Sequence, residues 1–325
     1  MIFLSSLMKY FYYLLLFLFT ISCEQEELPI SPHQTGDVLV QQIEMLQDYR
    51  YQVFYNLENN EIVSENLKTD WDIGFENTPS GFHIVLNSST YSGLSYIENQ
   101  QFDDIISSNN LIWSWDNPNG SLDSTAFGDY RLLNGFFVID RGFDLQGSQR
   151  GFKKLKIDSV NSQFYTITYS NLDNSEINTI QINKDNSFRY SCFSFSENSI
   201  IDIEPPLTEW DLIFTQYTHL FSDTTQPSYL VTGILSNNLN IATDINNNFD
   251  DITYEMIGDY YFKNNNDMVG YNWKEYDLNA GEYTVFSNIN YIIQDKNDKY
   301  YKLHFIDFYN NLGEKGYPKF EIQEL

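Results

Sequence analysis

The residues best placed for chemistry in this chain are a run of oxygen donors and one cysteine near the start. Asp244-Ile245-Asn246-Asn247-Asn248-Phe249-Asp250-Asp251 sets oxygen-bearing side chains at alternate positions. A calcium loop presents its ligands at that spacing, so Asp244, Asn246, Asn248 and Asp250 are candidate calcium ligands. The loop lacks the glycine at its sixth position and the distal bidentate glutamate, which leaves a solvated Asn/Asp loop as the other reading. Cys23 ends an apolar stretch, where its thiol is placed to accept a diacylglycerol. Cys192, the other cysteine, lies in an alternating apolar stretch and reads as a buried, inert thiol. With Cys23 acylated, no intrachain disulfide remains. The chain has no HExxH, GxSxG, P-loop or dinucleotide fingerprint. Its 45 Asp and Glu make acid pairs too common to mark a glycosidase site. Enzymatic activity is not expected.

The surroundings of Cys23 carry the reading of export. Lys9 is the only charged residue before it, followed by Tyr10 to Phe19, all apolar or aromatic, and then Thr20-Ile21-Ser22. A short positive end, an apolar core and small residues before a cut are the layout of an export signal. The apolar run is well short of the ~20 residues that a transmembrane helix needs. Thr20 departs from the leucine usual three residues before a lipidated cysteine. Residues 1–22 are therefore expected to be a lipoprotein signal peptide, with lipidation at Cys23. Residues 23–37 read as a lipidated acidic tether: Glu24-Gln25-Glu26-Glu27 leads into a segment holding Pro29 and Pro32. An acidic cluster at this place resembles the surface-export tag of Bacteroidota lipoproteins, which implies the outer face of the outer membrane. The membrane partner is reached through the lipid. A formal net charge of −27 repels nucleic acid phosphates, so no nucleic acid partner is expected.

The body of the chain contains a repeat. Residues 50–75 align without a gap on 189–214, and 11 of the 26 positions are identical, including Trp71-Asp72 with Trp210-Asp211. A second block follows in the same order: Phe136 to Asp140 matches Tyr291 to Asp295, and Lys154 to Ile157 matches Lys302 to Phe305. The expected organisation is two tandem domains, 38–180 and 181–325. Both read as antiparallel β-sandwich-like. Short runs rich in Val, Ile, Thr and Tyr recur between clusters of Asn, Asp, Gly and Pro, and the chain holds 25 Tyr and 25 Phe. No long stretch shows helical spacing of apolar residues. Each Trp-Asp motif reads as a core anchor beside a carboxylate that bonds the backbone.

Each half opens with an aromatic strand, an acidic turn and Trp-Asp-x-x-Phe. The second half continues with Trp273-Lys274-Glu275-Tyr276, Tyr300-Tyr301-Lys302-Leu303 and Gly313-Glu314-Lys315-Gly316-Tyr317-Pro318. These motifs resemble the HmuY family of Bacteroidota lipoproteins, closely over 188–325 and more loosely over 38–169, and suggest tandem copies. The resemblance implies an all-β fold, haem or a similar porphyrin as ligand, and hand-over to a TonB-dependent receptor in the outer membrane. The family's haem binders place an axial His about five residues after a Trp matching Trp273. Asp277-Leu278-Asn279 stands there instead, with neither His nor Met. A second donor falls between the Trp-Asp motif and Trp273, where His219, Met256 and Met268 are the candidate haem ligands. His83 and His219 read as hairpin or strand-edge residues, and His304 as solvent-facing. The alternative function is a structural, adhesive or glycan-binding surface lipoprotein that has lost the haem site.

Overall fold

The computed structural model describes residues 34–104, 106–221 and 228–325. The expected signal peptide, Cys23 and the expected tether through His33 lie outside the described residues. Among the described residues no helix is long and apolar enough to cross a membrane.

Turn chemistry every few residues and β-branched or aromatic runs between the turns give strands. They are β1 (Leu39–Gln42), β2 (Tyr51–Asn56), β3 (Glu61–Leu67), β4 (Ile73–Glu76), β5 (Ile84–Leu86), β6 (Gly93–Ile97), β7 (Phe136–Asp140), β8 (Phe152–Val160), β9 (Phe164–Ser170), β10 (Asn178–Asn183), β11 (Tyr190–Ser194), β12 (Ser199–Ile201), β13 (Leu212–Leu220), β14 (Ser228–Ser236), β15 (Asn240–Asp244), β16 (Lys274–Asp277), β17 (Glu282–Val285), β18 (Asn290–Gln294), β19 (Tyr300–Tyr309) and β20 (Lys315–Glu324). The sheets run β1-β20-β19-β18-β15, β10-β9-β8-β7-β6, β12-β11-β4-β5 and β14-β13-β2-β3, with β16-β17 as a separate hairpin. The expected all-β, antiparallel class holds.

The repeat appears in the pairing, but the halves exchange strands. β2 of the first repeat pairs with β13 of the second, with Tyr55 opposite Leu212 and Val53 opposite Phe214. β11 of the second pairs with β4 of the first, with Tyr190 opposite Glu76 and Phe193 opposite Ile73. β1 joins β20 at the far end of the chain. There are two sandwich cores, and each takes residues from both sides of residue 180. One gathers Val53 and Tyr55 with Phe214, Leu303, Phe305 and Phe320. The other gathers Phe193 and Phe195 with Phe75, Ile139, Leu155 and Tyr165. The expected division into domains 38–180 and 181–325 therefore does not follow the sheets. The hairpins of two similar repeats present similar faces, so each can complete the other's sandwich.

β2 shows why the exchange holds. Gln52 to Asn56 are all buried. A strand covered on both faces reads as a continuous apolar run rather than an alternation. Val53 and Tyr55 enter one sandwich core, while Phe54 turns to a third cluster with Cys192, Ile203 and Trp210. Phe54 and Trp210 meet edge to face at 5.0 Å. Cys192 is buried as expected, and burial pushes its thiol pKa up.

The two Trp-Asp motifs latch the halves reciprocally. The Asp72 carboxylate accepts from the Phe195 amide at 2.8 Å, and Asp211 accepts from the Leu57 amide at 2.8 Å. The backbone N–H of Asp72 donates to Phe193, and that of Asp211 donates to Tyr55. Asn87 donates to the carbonyls of Lys68 and Trp71, and Asn237 does the same for Leu207 and Trp210. The matched lysines also act alike. Lys154 donates to the carbonyls of Phe102 and Asp104, and Lys302 to those of Phe249 and Ile252, so each ties a loop onto its sheet.

His304 is not solvent-facing. It is 9% exposed and stacks on Phe249 at 4.3 Å. Its Nδ1 meets the Ser287 carbonyl and its Nε2 the Glu321 carboxylate. β19 is buried without a break from Tyr301 to Phe305, so alternation along this strand does not mark a wet face.

Candidate functional site

β14 is drawn against the loop before β16 by a reciprocal pair of backbone bonds between Ile234 and Gly270. The approach needs glycine: a Cβ on Gly233 would lie 2.3 Å from the Gly270 carbonyl oxygen, and Gly270 has φ +59°. Trp273 follows, fully buried and stacked on Phe305 at 3.9 Å. Its carbonyl accepts from Phe286, which fixes the entry to the β16-β17 hairpin. That hairpin stands off β14 and leaves a cavity of about 720 Å³ between them. This is within the range of small-molecule sites.

Five tyrosines wall the cavity: Tyr49, Tyr229, Tyr271, Tyr276 and Tyr283. Tyr276 and Tyr283 face each other across the hairpin at 4.9 Å, and Tyr283 meets Phe308 edge to face at 4.9 Å. Burial pushes the Tyr49, Tyr271 and Tyr283 pKa values up, so all three keep their phenol protons near neutrality. Tyr229 and Tyr276 are 55% and 44% exposed. These are large, amphipathic surfaces left open to a ligand.

Lys274 also lines the cavity. Its Nζ donates to the Thr232 carbonyl at 2.6 Å. It lies 4.3 Å from the Trp273 ring centroid, 4.8 Å from that of Phe308 and 5.6 Å from that of Tyr283. Burial pushes its pKa down to about 7, with no carboxylate offsetting the effect.

None of the three candidate haem ligands lines this cavity. His219, on β13, sits edge-on to two lining residues, Phe221 at 4.9 Å and Tyr271 at 5.0 Å. Burial lowers its pKa against the pull of Asp267, so it is neutral at pH 7. Met268 packs on the sandwich core beneath. Met256 lies on the short helix Tyr254–Asp259, whose Ile257 packs on a separate cluster around Ile292. The sequence marks Lys274 and Tyr276 only as part of a family motif, and the other four tyrosines not at all. They are scattered from residue 49 to 283, and only Trp273 beside Lys274 marked the place.

The calcium expectation finds no support. Asp244 is buried and its carboxylate is used within the loop, accepting from the amides of Asn246 and Asn247, the Asn247 side chain and the Tyr260 hydroxyl. Asn248 bonds Asp251. The alternating oxygens make a turn, and no group of three or more His, Cys, Asp or Glu gathers as a metal site among the described residues.

A second cavity, of about 170 Å³, lies between the two four-stranded sheets. It holds Asp116 and Glu204, pushed up to about 6 and about 7 by burial. Asp116 accepts from the amides of Leu86 and Ala126, and Glu204 from that of Tyr190. Both carboxyls are tied to backbone.

The family model described as HmuY protein matches residues 48–322 as a single span. The chain belongs to the HmuY family. The match runs through both repeats and across residue 180. Similar solved structures include apo PinO from Porphyromonas gingivitis, at 8% identity and a TM-score of 0.30, covering 89% of this chain and 97% of that one. The apo HmuY analog of Tannerella forsythia is similar at 10% identity and a TM-score of 0.27, covering 91% and 98%. A putative HmuY-like heme binding protein from Bacteroides vulgatus has 12% identity and a TM-score of 0.25, covering 88% and 90%. Among curated proteins there is no match.

Proposed function

We propose that the chain is a surface lipoprotein that binds a planar, ring-bearing ligand without catalysis, with haem or a porphyrin as the ligand and a TonB-dependent receptor as its destination. The lipid on Cys23 would hold it at the outer face of the outer membrane. The observation that carries the reading is the tyrosine-walled cavity of about 720 Å³. Aromatic faces suit a macrocycle, and family membership favours a porphyrin among macrocycles. Among the described residues the lining holds no His or Met, so the donors it offers to a haem iron are tyrosine phenols, the Lys274 amine and the Glu275 carboxylate. Affinity is then carried by ring contacts rather than by strong axial bonds.

The same lining favours a second reading, since exposed tyrosine rings without His or Met beside them also suit the faces of a sugar. One experiment separates the two. The soluble chain from Glu24 is titrated with haemin, metal-free protoporphyrin IX and neutral oligosaccharides. Saturable shifts with haemin and protoporphyrin, at affinities within about tenfold of each other, are expected if the iron contributes little. Binding of oligosaccharides alone would replace the porphyrin reading with the glycan one.

A further inference from the structure

Lys274 is a cation without a counter-charge. The residue is 7% exposed, and its Nζ has one hydrogen-bond acceptor among the described residues, the Thr232 carbonyl. Its Nζ has the rings of Trp273, Phe308 and Tyr283 within 6 Å, and the Thr232 carbonyl takes only one of its three N–H groups. Among the described residues it makes no ion pair, whereas Lys153, Lys156 and Lys299 each have a carboxylate. Lys154 and Lys302 are also buried without an ion pair, but each donates to two backbone carbonyls where Lys274 donates to one. The cavity reverses the chain's balance of 45 acids to 18 bases: its charged lining residues are Lys274, Lys315 and Glu275.

We propose that the cavity takes a ligand bearing a carboxylate, and that this carboxylate pairs with the Lys274 ammonium, so that binding takes up a proton. The inference rests on the reading of the cavity as the binding site and names the ligand's charge. A buried ammonium left alone loses its proton readily, and an incoming anion favours the protonated form. The titratable groups around Lys274 are Glu275 and Tyr276 on β16, Tyr283 on β17, Tyr229 on β14, Tyr271 before β16, Tyr49 after β1 and Lys315 on β20. The phenols of Tyr49, Tyr271 and Tyr283 are held above their usual range, and Glu275 is exposed on the hairpin. Lys274 is the lining residue that burial brings to titrate near neutrality, and His219 stands behind Phe221 and Tyr271.

The sign follows from linkage. Free Lys274 is half protonated at about pH 7 and bound Lys274 is protonated, so affinity falls as pH rises above 7, by about tenfold per unit until the bound-state pKa is reached.

The test uses the soluble chain from Glu24 with protoporphyrin IX, its dimethyl ester and 1-naphthoate. Calorimetry at pH 8 in two buffers of different ionisation enthalpy reads proton uptake directly on the unmodified protein. The expected result is uptake of close to one proton with the two acids, and binding of the ester at least tenfold weaker than that of the diacid. Lys274→Met, which keeps the stem, should remove both the uptake and the pH dependence. If porphyrin and ester bind alike with no uptake, the Lys274 proposal is overturned and the porphyrin reading stands. If neither porphyrin binds but naphthoate does with uptake, the porphyrin reading falls and Lys274 stands. If no carboxylate brings proton uptake, the Lys274 proposal is overturned.

Discussion

Cut at residue 180, the chain is expected to fold in neither half. The piece 181–325 would lose β2 from the edge of β13 and β1 from the edge of β20. It would also lose Val53 and Tyr55 from a core in which Tyr55 meets Phe320 at 5.5 Å. The piece 34–180 would lose β11 from β4, with Phe193 and Phe195 from the other core. Unpaired strand edges and half-covered cores leave each piece with little to offset its chain entropy. Urea unfolding followed by tryptophan fluorescence should show no cooperative transition for either piece. An equimolar mixture should recover one. A cooperative transition in a single piece would show that the exchange is not needed for folding.

The second large effect falls on one member of the duplicated motif. The Asp72 side chain is fully buried and receives the guanidinium groups of Arg141, at 2.9 and 3.1 Å, and Arg150, at 3.1 Å. It also accepts from the Phe195 amide across the repeat boundary. Asp72→Ala would leave two buried cations unpaired, and breaking one partner out of a buried ion pair costs about 3–5 kcal/mol. Asp211 occupies the matching place but accepts from the Leu57 amide and makes no ion pair among the described residues. Burial pushes its pKa up. Asp211→Ala is expected to cost about 1–3 kcal/mol, the range for a buried amide left without its acceptor. Urea midpoints of the two variants check the order. Equal losses would mean that the Arg141–Asp72–Arg150 cluster adds nothing beyond the backbone latch.

These pairs show where sequence reading stops. The repeat, the β class, the buried Cys192 and the role of the Trp-Asp carboxylates in bonding backbone were all legible, because they depend on spacing and on residue type. The exchange was not. Pattern reports which face of a strand is buried, and in two similar repeats the faces of β4 and β13 are alike, so the pattern does not say which one β2 will join. His304 was misread for a related reason, since β19 is covered on both faces. The site was hidden more deeply. Tyr49 reaches the cavity because β1 and β2 lie with the second half, and Lys274 reads in sequence as an ordinary strand lysine until Trp273, Phe308 and Tyr283 surround it.

On the proposed function, the tyrosine-walled cavity holds the ligand. Tyr229 and Tyr276 are its most exposed walls, so replacing both removes ring contacts while leaving the cores intact. Each aromatic contact is worth about 0.5–1.5 kcal/mol beyond its area. The most direct measurement is the affinity of Tyr229→Ser/Tyr276→Ser for protoporphyrin IX beside its thermal midpoint. Binding is expected to be weaker by about tenfold or more with the midpoint nearly unchanged. Unchanged affinity in the folded double variant would contradict it and place the ligand elsewhere on the molecule.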